Sequence, residues 1–245
     1  MPKTIMPLSY IEKIVRQLKE LGVKAVSLSA DGEPALHPQI KKIIDIIKNN
    51  GISLRITTNL TFGKNELFSS FAKADILVVN LSAPDAKLYR KFCSPVSEKP
   101  FLNLAHNLKM FSTLFRKRGK PNIILNYIIT RNNYVYIEKM LDFADSLKLP
   151  FIRFRILDTT LETKKLFLTH EEILELHSII NKISRSNYSV KHDLRNLLAF
   201  RKKADFNLKR CFIGWLALSI ENNGDIVFCC QNPWLKIGNW KRDSL

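Results

Sequence analysis

Five apolar runs, each followed by a helical pattern, constrain this chain more than any other feature. The runs fall at about 24–29, 52–58, 75–82, 122–129 and 151–157. Asp75-Ile-Leu-Val-Val-Asn-Leu-Ser82 is almost fully apolar, as a strand buried in a parallel sheet should be. After the first run, Ile40, Ile43, Ile44, Ile46 and Ile47 recur at the spacing of one buried helix side, over about 38–50. Further helices are expected at Leu67–Ala74, Pro84–Phe92, Phe101–Phe115 and Val135–Leu147, the last with Ile137, Met140, Leu141 and Ala144 inward. Thr169 caps another, with Ile173, Leu174, Leu176, Ile179 and Ile180 apolar. Crossovers this long join parallel strands, so the chain is α/β: an open sheet or an incomplete barrel.

The alternation begins with a helix. Ser9-Tyr-Ile-Glu12 reads as a capping box, and Ile11, Ile14, Val15, Leu18 and Leu21 form a stripe that Gly22 ends. A βα barrel would need a strand before residue 9, and residues 1–8, with two prolines, do not supply one. After about residue 185 the texture changes, which divides the chain into a barrel-like part at 1–185 and an extension at 186–245. In the extension, Arg210–Ile220 and Asp225–Cys230 read as two strands joined by the Glu221-Asn-Asn-Gly224 turn, a β-hairpin.

The Leu28-Ser-Ala-Asp-Gly-Glu-Pro-Ala-Leu-His-Pro38 stretch closes the first strand and precedes a helix. In parallel α/β folds ligands bind at that edge, where the loops after the strands converge. Gly32 lets the backbone approach a ligand, Pro34 stiffens the loop, and Glu33 offers a carboxylate suited to an amino group. A turn with a helix-start charge is the plainer reading of the same residues.

Of the 245 residues 46% are apolar, enough for a large core. No run is long enough to span a bilayer and the N-terminus has no signal-peptide pattern, so a cytoplasmic protein without membrane contact is expected. Lys and Arg number 39 against 22 Asp and Glu, a formal charge of +17. Such an excess favours anionic partners, nucleic acid among them. The basic residues are spread over many helices, clustering only at 116–120 and 201–203, so a solvated surface is favoured over a nucleic-acid-binding module. Of four cysteines, Cys211, Cys229 and Cys230 lie near the C-terminus, a grouping that suggests metal rather than a disulfide in such a chain. Cys93 reads as a half-buried thiol. Trp215, Trp234 and Trp240 read as packing between barrel and extension, His37 as a residue at the start of a helix, and the other histidines show no ligand spacing.

Taken together, these segments resemble the radical S-adenosylmethionine (SAM) enzymes, and within them the branch with a C-terminal SPASM or shorter "twitch" extension. Asp31-Gly32-Glu33-Pro34 is similar to the Gly-Gly-Glu-Pro motif, with Asp first. Thr57-Thr58-Asn59 resembles the Thr-Asn-Gly segment, with Leu60 replacing glycine. Asn80-Leu-Ser-Ala-Pro-Asp85 with Tyr89 resembles the next strand's segment. Cys211, Gly224 and Cys229 fit Cys-x12-Gly-x4-Cys, and Ile237-Gly-Asn239 follows.

The resemblance implies a partial (β/α)6 TIM-like barrel lacking its first strand. It implies that Asp31, Gly32, Glu33 and Pro34 hold the methionine amino group of SAM, and that Asn59, Ser82 and Asn126 hold its other polar groups. The implied activity is cleavage of SAM to a 5′-deoxyadenosyl radical that abstracts hydrogen from a substrate: a peptide, a sugar or a small molecule. An electron donor such as flavodoxin or ferredoxin is implied too. The family binds its catalytic [4Fe–4S] cluster through Cys-x3-Cys-x2-Cys, and no cysteine precedes Cys93 here. Cys211, Cys229 and Cys230 offer three of the four ligands of an auxiliary cluster. The expectation is therefore an open reading frame incomplete at its start; a cluster-free barrel remnant or split subunit, binding a ligand or partner without catalysis, is the alternative.

Overall fold

The computed structural model describes residues 5–29, 32–63, 65–93, 96–118, 123–157, 161–201, 212–229 and 234–243. In chain order its first elements are α1 (Leu8–Glu20), β1 (Ala25–Leu28), α2 (Ile40–Asn49), β2 (Ser53–Thr58), α3 (Phe68–Phe71) and β3 (Ile76–Asn80). There follow α4 (Ala86–Phe92), α5 (Lys99–Lys117), β4 (Ile123–Ile129), α6 (Ile137–Ser146), β5 (Phe151–Ile156), α7 (His170–Ile183) and β6 (Lys191–His192). The C-terminal part holds α8 (Ile213–Leu216), β7 (Ser219–Ile220), β8 (Asp225–Val227) and β9 (Lys236–Asn239).

Strands β1 to β6 form one sheet in sequence order, every neighbour parallel. The expected α/β partial barrel is therefore present, with a sixth strand, β6, that periodicity did not announce. Two residues are too few for a pattern to register.

All the packing helices lie on one face of this sheet. Leu54, Ile56, Leu77, Val79, Leu125, Tyr127, Ile152 and Phe154 are buried in a single cluster with Ile43, Ile44 and Ile47 of α2, Leu104 and Leu108 of α5, Met140 and Leu141 of α6, and Leu176 and Ile180 of α7. The alternate strand residues, Arg55, Thr57, Asn80, Asn126, Arg153 and Arg155 among them, face the other way and stand outside the cluster. Strand residues alternate faces with period two, so a polar row on alternate positions marks a second, concave side that none of the described helices covers.

Helix ends follow local chemistry. At the end of α1, Gly22 at φ 73° lets its N–H reach the Lys19 carbonyl and Val23 N–H reach that of Leu18, the paired closure of a left-handed cap. At α7, Thr169 accepts from Glu172 N–H while the Glu172 carboxylate accepts from Thr169 N–H, the capping box expected there.

Other expectations need correction. Ser9 is not the N-cap of α1: Pro7 is, with φ already near the helical value, and its carbonyl accepts from both Tyr10 and Ile11 N–H. Leu21 is exposed rather than part of a buried stripe. Of the described residues in 212–220 only Ser219–Ile220 is strand, residues 210 and 211 lying outside them; residues 213–216 are a helical turn, with Gly214 so close to Phe228 that a Cβ would sit 2.8 Å from its ring. The expected β-hairpin is present as β7 and β8, paired antiparallel, and β9 adds a third antiparallel strand to it. The expected turn at Gly224 is there, at φ 98°.

This small sheet packs on α1. Ile14, Ile226 and Trp240 form a second buried cluster, and Tyr10 meets Trp240 edge-on at 4.4 Å. Trp240 thus bridges barrel and extension as expected. Trp215 and Trp234 do not, being 88% and 72% exposed. No helix among the described residues is long and apolar enough to cross a membrane.

Candidate functional site

Glu33 lies beyond the carboxyl end of β1, as N-cap of a 3-10 turn at Pro34–Leu36. One carboxylate oxygen accepts from Ala35 N–H at 3.1 Å and from the Thr58 hydroxyl at 2.6 Å. The other accepts from Asn59 N–H at 2.6 Å. The plainer reading, a turn with a capping charge, is thus realised, and the carboxylate also ties the loop after β1 to the end of β2. A carboxylate offers about four acceptor directions, so three internal donors leave about one free, on the oxygen facing Asn59. Three donors also fix its orientation. Pro34 sits at the first position of the turn, and a Cβ built on Gly32 would meet nothing within 4 Å, so the loop leaves open space there. Asp31 lies outside the described residues.

The loop after β2 is built around Leu60. Its N–H donates to the buried Thr58 hydroxyl, and its carbonyl accepts from Asn107 of α5, which also donates to Phe62. Asn59 turns its carbonyl oxygen onto Thr61 N–H and hydroxyl, so the side chain closes its own turn. Its backbone, rather than its amide, reaches Glu33.

At the end of β3, Ser82 is half-buried and its carbonyl accepts from Asn133 Nδ2 at 3.1 Å. Asn133, 2% exposed, also donates to the Ile128 carbonyl and accepts from Thr130 N–H, while the Tyr127 hydroxyl donates to the main-chain carbonyl of Asn133. Asn133 thereby locks the rims of β3 and β4 together. Sequence reading missed it, although Thr130-Arg-Asn-Asn133 straight after a strand is a turn signal. Burial is the main reason that Tyr89 ionises less readily than an ordinary tyrosine, with Cys93 and Glu33 adding to the effect; Tyr89 thus lies within electrostatic reach of the Glu33 loop. Cys93, at the C-cap of α4, is exposed rather than half-buried.

Asn126 faces the concave side. It donates to the Asn80 side chain at 2.9 Å, its partner in register, and Arg153 is its partner on β5. The structure therefore brings Glu33 and Asn59 into direct contact, sets Ser82 on the next rim and places Asn126 on the open sheet face. His37 has a structural role as expected: its Nδ1 accepts from Gln39 N–H, so its Nε2 carries the proton and donates to the Met6 carbonyl.

Of the expected metal ligands, Cys229 follows β8, while Cys211 and Cys230 lie outside the described residues. Among the described residues no group of three or more His, Cys, Asp or Glu could hold a metal. The four cysteines of the sequence do not include a Cys-x3-Cys-x2-Cys set, so the residues present do not fit the catalytic cluster of the family they resemble.

A family model described as the radical SAM superfamily matches residues 2–144. Among solved structures, Streptococcus suis SuiB bound to S-adenosylmethionine superposes with a TM-score of 0.71 at 22% identity, over 98% of this chain and 57% of that one. SuiB bound to the precursor peptide SuiA gives 0.70 at 21%, over 99% and 57%. Native anSMEcpe with bound AdoMet gives 0.69 at 13%, over 98% and 71%. The chain thus spans less than two thirds of the SuiB length, and at these identities the likeness is one of fold. No protein of curated function matches its sequence.

Proposed function

Because this chain belongs to the radical SAM superfamily, we propose that it holds S-adenosylmethionine against the carboxyl ends of β1 to β4, with substrate on the concave face. The observation that carries this reading is the Glu33 carboxylate, fixed by three donors yet keeping an acceptor direction. That direction suits the ammonium of a zwitterionic methionine moiety. The Gly32 backbone lies against open space, so a ligand can approach it closely. Asn80 and Asn126 are joined by one bond, which leaves an amide N–H₂ on the first and a carbonyl oxygen on the second for polar ligand groups. The methionine-binding roles of Asp31, Gly32, Glu33, Pro34, Asn59, Ser82 and Asn126 are part of this proposal. When bound, the molecule would supply the family's radical chemistry, and no step is drawn through a cluster whose thiolates this chain does not carry. A peptide is one candidate substrate, in keeping with the peptide-bound SuiB structure. The small sheet carrying Cys229 is read as the twitch type of extension.

Calorimetric titration of the purified chain with S-adenosylmethionine tests the reading, with Glu33→Gln and Gly32→Val as variants. Saturable binding should weaken about tenfold or more in each. Gly32→Val should keep the wild-type melting temperature, because its Cβ meets no neighbour. Absence of binding, or binding indifferent to both changes, refutes it.

A further inference from the structure

The concave face of the sheet carries charge that the fold itself does not use. Parallel sheets are normally buried on both sides and apolar throughout. Here alternate positions of β2 and β5 place Arg55, Arg153 and Arg155 on the uncovered side, with Lys191 of β6 on the same side. The strand positions of that face carry no Asp or Glu. The ion pairs among the described residues join Lys48 to Asp75, Lys73 to Asp45, Arg131 to Glu172, Lys182 to Glu138 and Lys236 to Asp225, so none neutralises these arginines.

The two cationic strands are not remote from each other. Arg55 loses a proton more readily than an ordinary arginine, first because burial disfavours its charge and second because Arg153 stands near it. Alternation along β2 and β5 places Arg55 and Arg153 on the same face of the sheet. Two guanidiniums on one face with no ion-pair partner among the described residues repel, and each offers a planar fork of donors. The same face holds a second unmet demand: the buried Thr57 hydroxyl, two residues after Arg55, has no hydrogen-bond partner among the described residues. Beside Arg153 the Asn126 amide adds another polar group.

We propose that Arg55 and Arg153 together bind an oxyanion, a carboxylate or a phosphate, carried by the substrate on the concave face. A fork from each strand matches the two-oxygen edge that either group presents, and the anion supplies the charge that the face lacks. Arg155, one row further along β5, extends the cationic side towards the rim. This assignment rests on the concave face being the substrate side; it assigns the arginines to substrate rather than to the methionine carboxylate.

The test titrates the full chain with inorganic phosphate and, separately, with glutarate, at constant ionic strength and without S-adenosylmethionine. Arg55→Gln and Arg153→Gln are compared with Arg185→Gln, a change just beyond α7. One of the two anions should bind, about tenfold or more weaker in each concave-face variant and unchanged in the control. The anion preferred identifies the group, phosphate or carboxylate. Arg55→Gln should melt no lower than wild type in chloride, because it removes repulsion rather than a contact. Equal binding in wild type and both variants, or no binding of either anion, overturns the proposal. S-adenosylmethionine affinity is measured on the same proteins: loss of it in both variants assigns the arginines to that ligand and also overturns the proposal. Arginine-dependent anion binding in a chain indifferent to S-adenosylmethionine would instead sustain this site and remove the reading it was joined to.

Discussion

Leu60 sets up a test of backbone against packing at the edge of the candidate site. It stands at φ 57°, in the left-handed region, and its side chain is 0% exposed. That conformation costs a residue with a Cβ roughly 1–2 kcal/mol. Full burial of a leucine returns roughly 1.5–3 kcal/mol, enough to hold the turn. Replacing Leu60 by Ala keeps the backbone cost and opens a cavity, for a loss of about 2–5 kcal/mol. Replacing it by Gly loses the same packing but relieves the strain. Glycine in ordinary backbone is about 0.5–1 kcal/mol worse than alanine, and here relief of roughly 1–2 kcal/mol outweighs that. Leu60→Gly should therefore be more stable than Leu60→Ala by about 1 kcal/mol, with wild type above both. Urea unfolding followed by circular dichroism reads this as a higher midpoint at equal slope. Leu54, 1% exposed in the middle of β2, is the control, and there the Ala variant should exceed the Gly variant. Equal or reversed order at position 60 refutes the argument from backbone strain.

Two further outcomes follow from the same physics. Lys148 caps α6 at φ 52°, its N–H on the Asp145 carbonyl and Leu149 N–H on that of Ala144, the closure that Gly22 makes for α1. Lys148→Gly should thus raise stability by up to about 1 kcal/mol, visible as a higher melting temperature. Burial holds the folded-state pKa of His192 below its ordinary 6.5, with Arg195 pressing the same way and Asp193 opposing. The unfolded chain then binds the proton more readily, so this contribution is full above pH 6.5 and is lost as pH falls towards the lower folded value. Urea midpoints from pH 8 to pH 5.5 should fall less steeply for His192→Asn than for wild type; parallel curves would show that His192 does not titrate differently on folding.

The sheet was legible because each long strand is an apolar run bounded by turn residues, and because Gly22, Gly51 and Thr169 mark helix ends by mechanisms that act locally. What failed to show was decided by neighbours. Residues 213–216 have a strand's composition, yet an apolar run does not distinguish a strand from a helical turn. Strand β9 is short and exposed along much of its length, and its pairing with β8 carries a register shift, so no alternation announced it. Glu33 and Asn59 were legible as neighbours of a site but not as partners of each other, since their bond spans 26 residues and is made by the Asn59 backbone.

The concave face shows most clearly what a strand reading overlooks. Phe151-Ile-Arg-Phe-Arg-Ile156 reads as a strand, and its arginines fall on alternate positions, as do Arg55 and Thr57 on β2 and Asn80 on β3. In a sheet covered on both sides such an alternation would bury unpaired guanidiniums, at a cost of several kcal/mol each. Parallel pairing demands crossover helices, but it does not demand that they divide between the two faces. Once the helical stripes are all matched to the Leu54, Leu77, Leu125 and Ile152 side, the polar alternate residues have no apolar partner among the described helices. They are left to face water or a ligand. The alternation and the parallel order together therefore imply an open, cationic inner face, and neither does so alone.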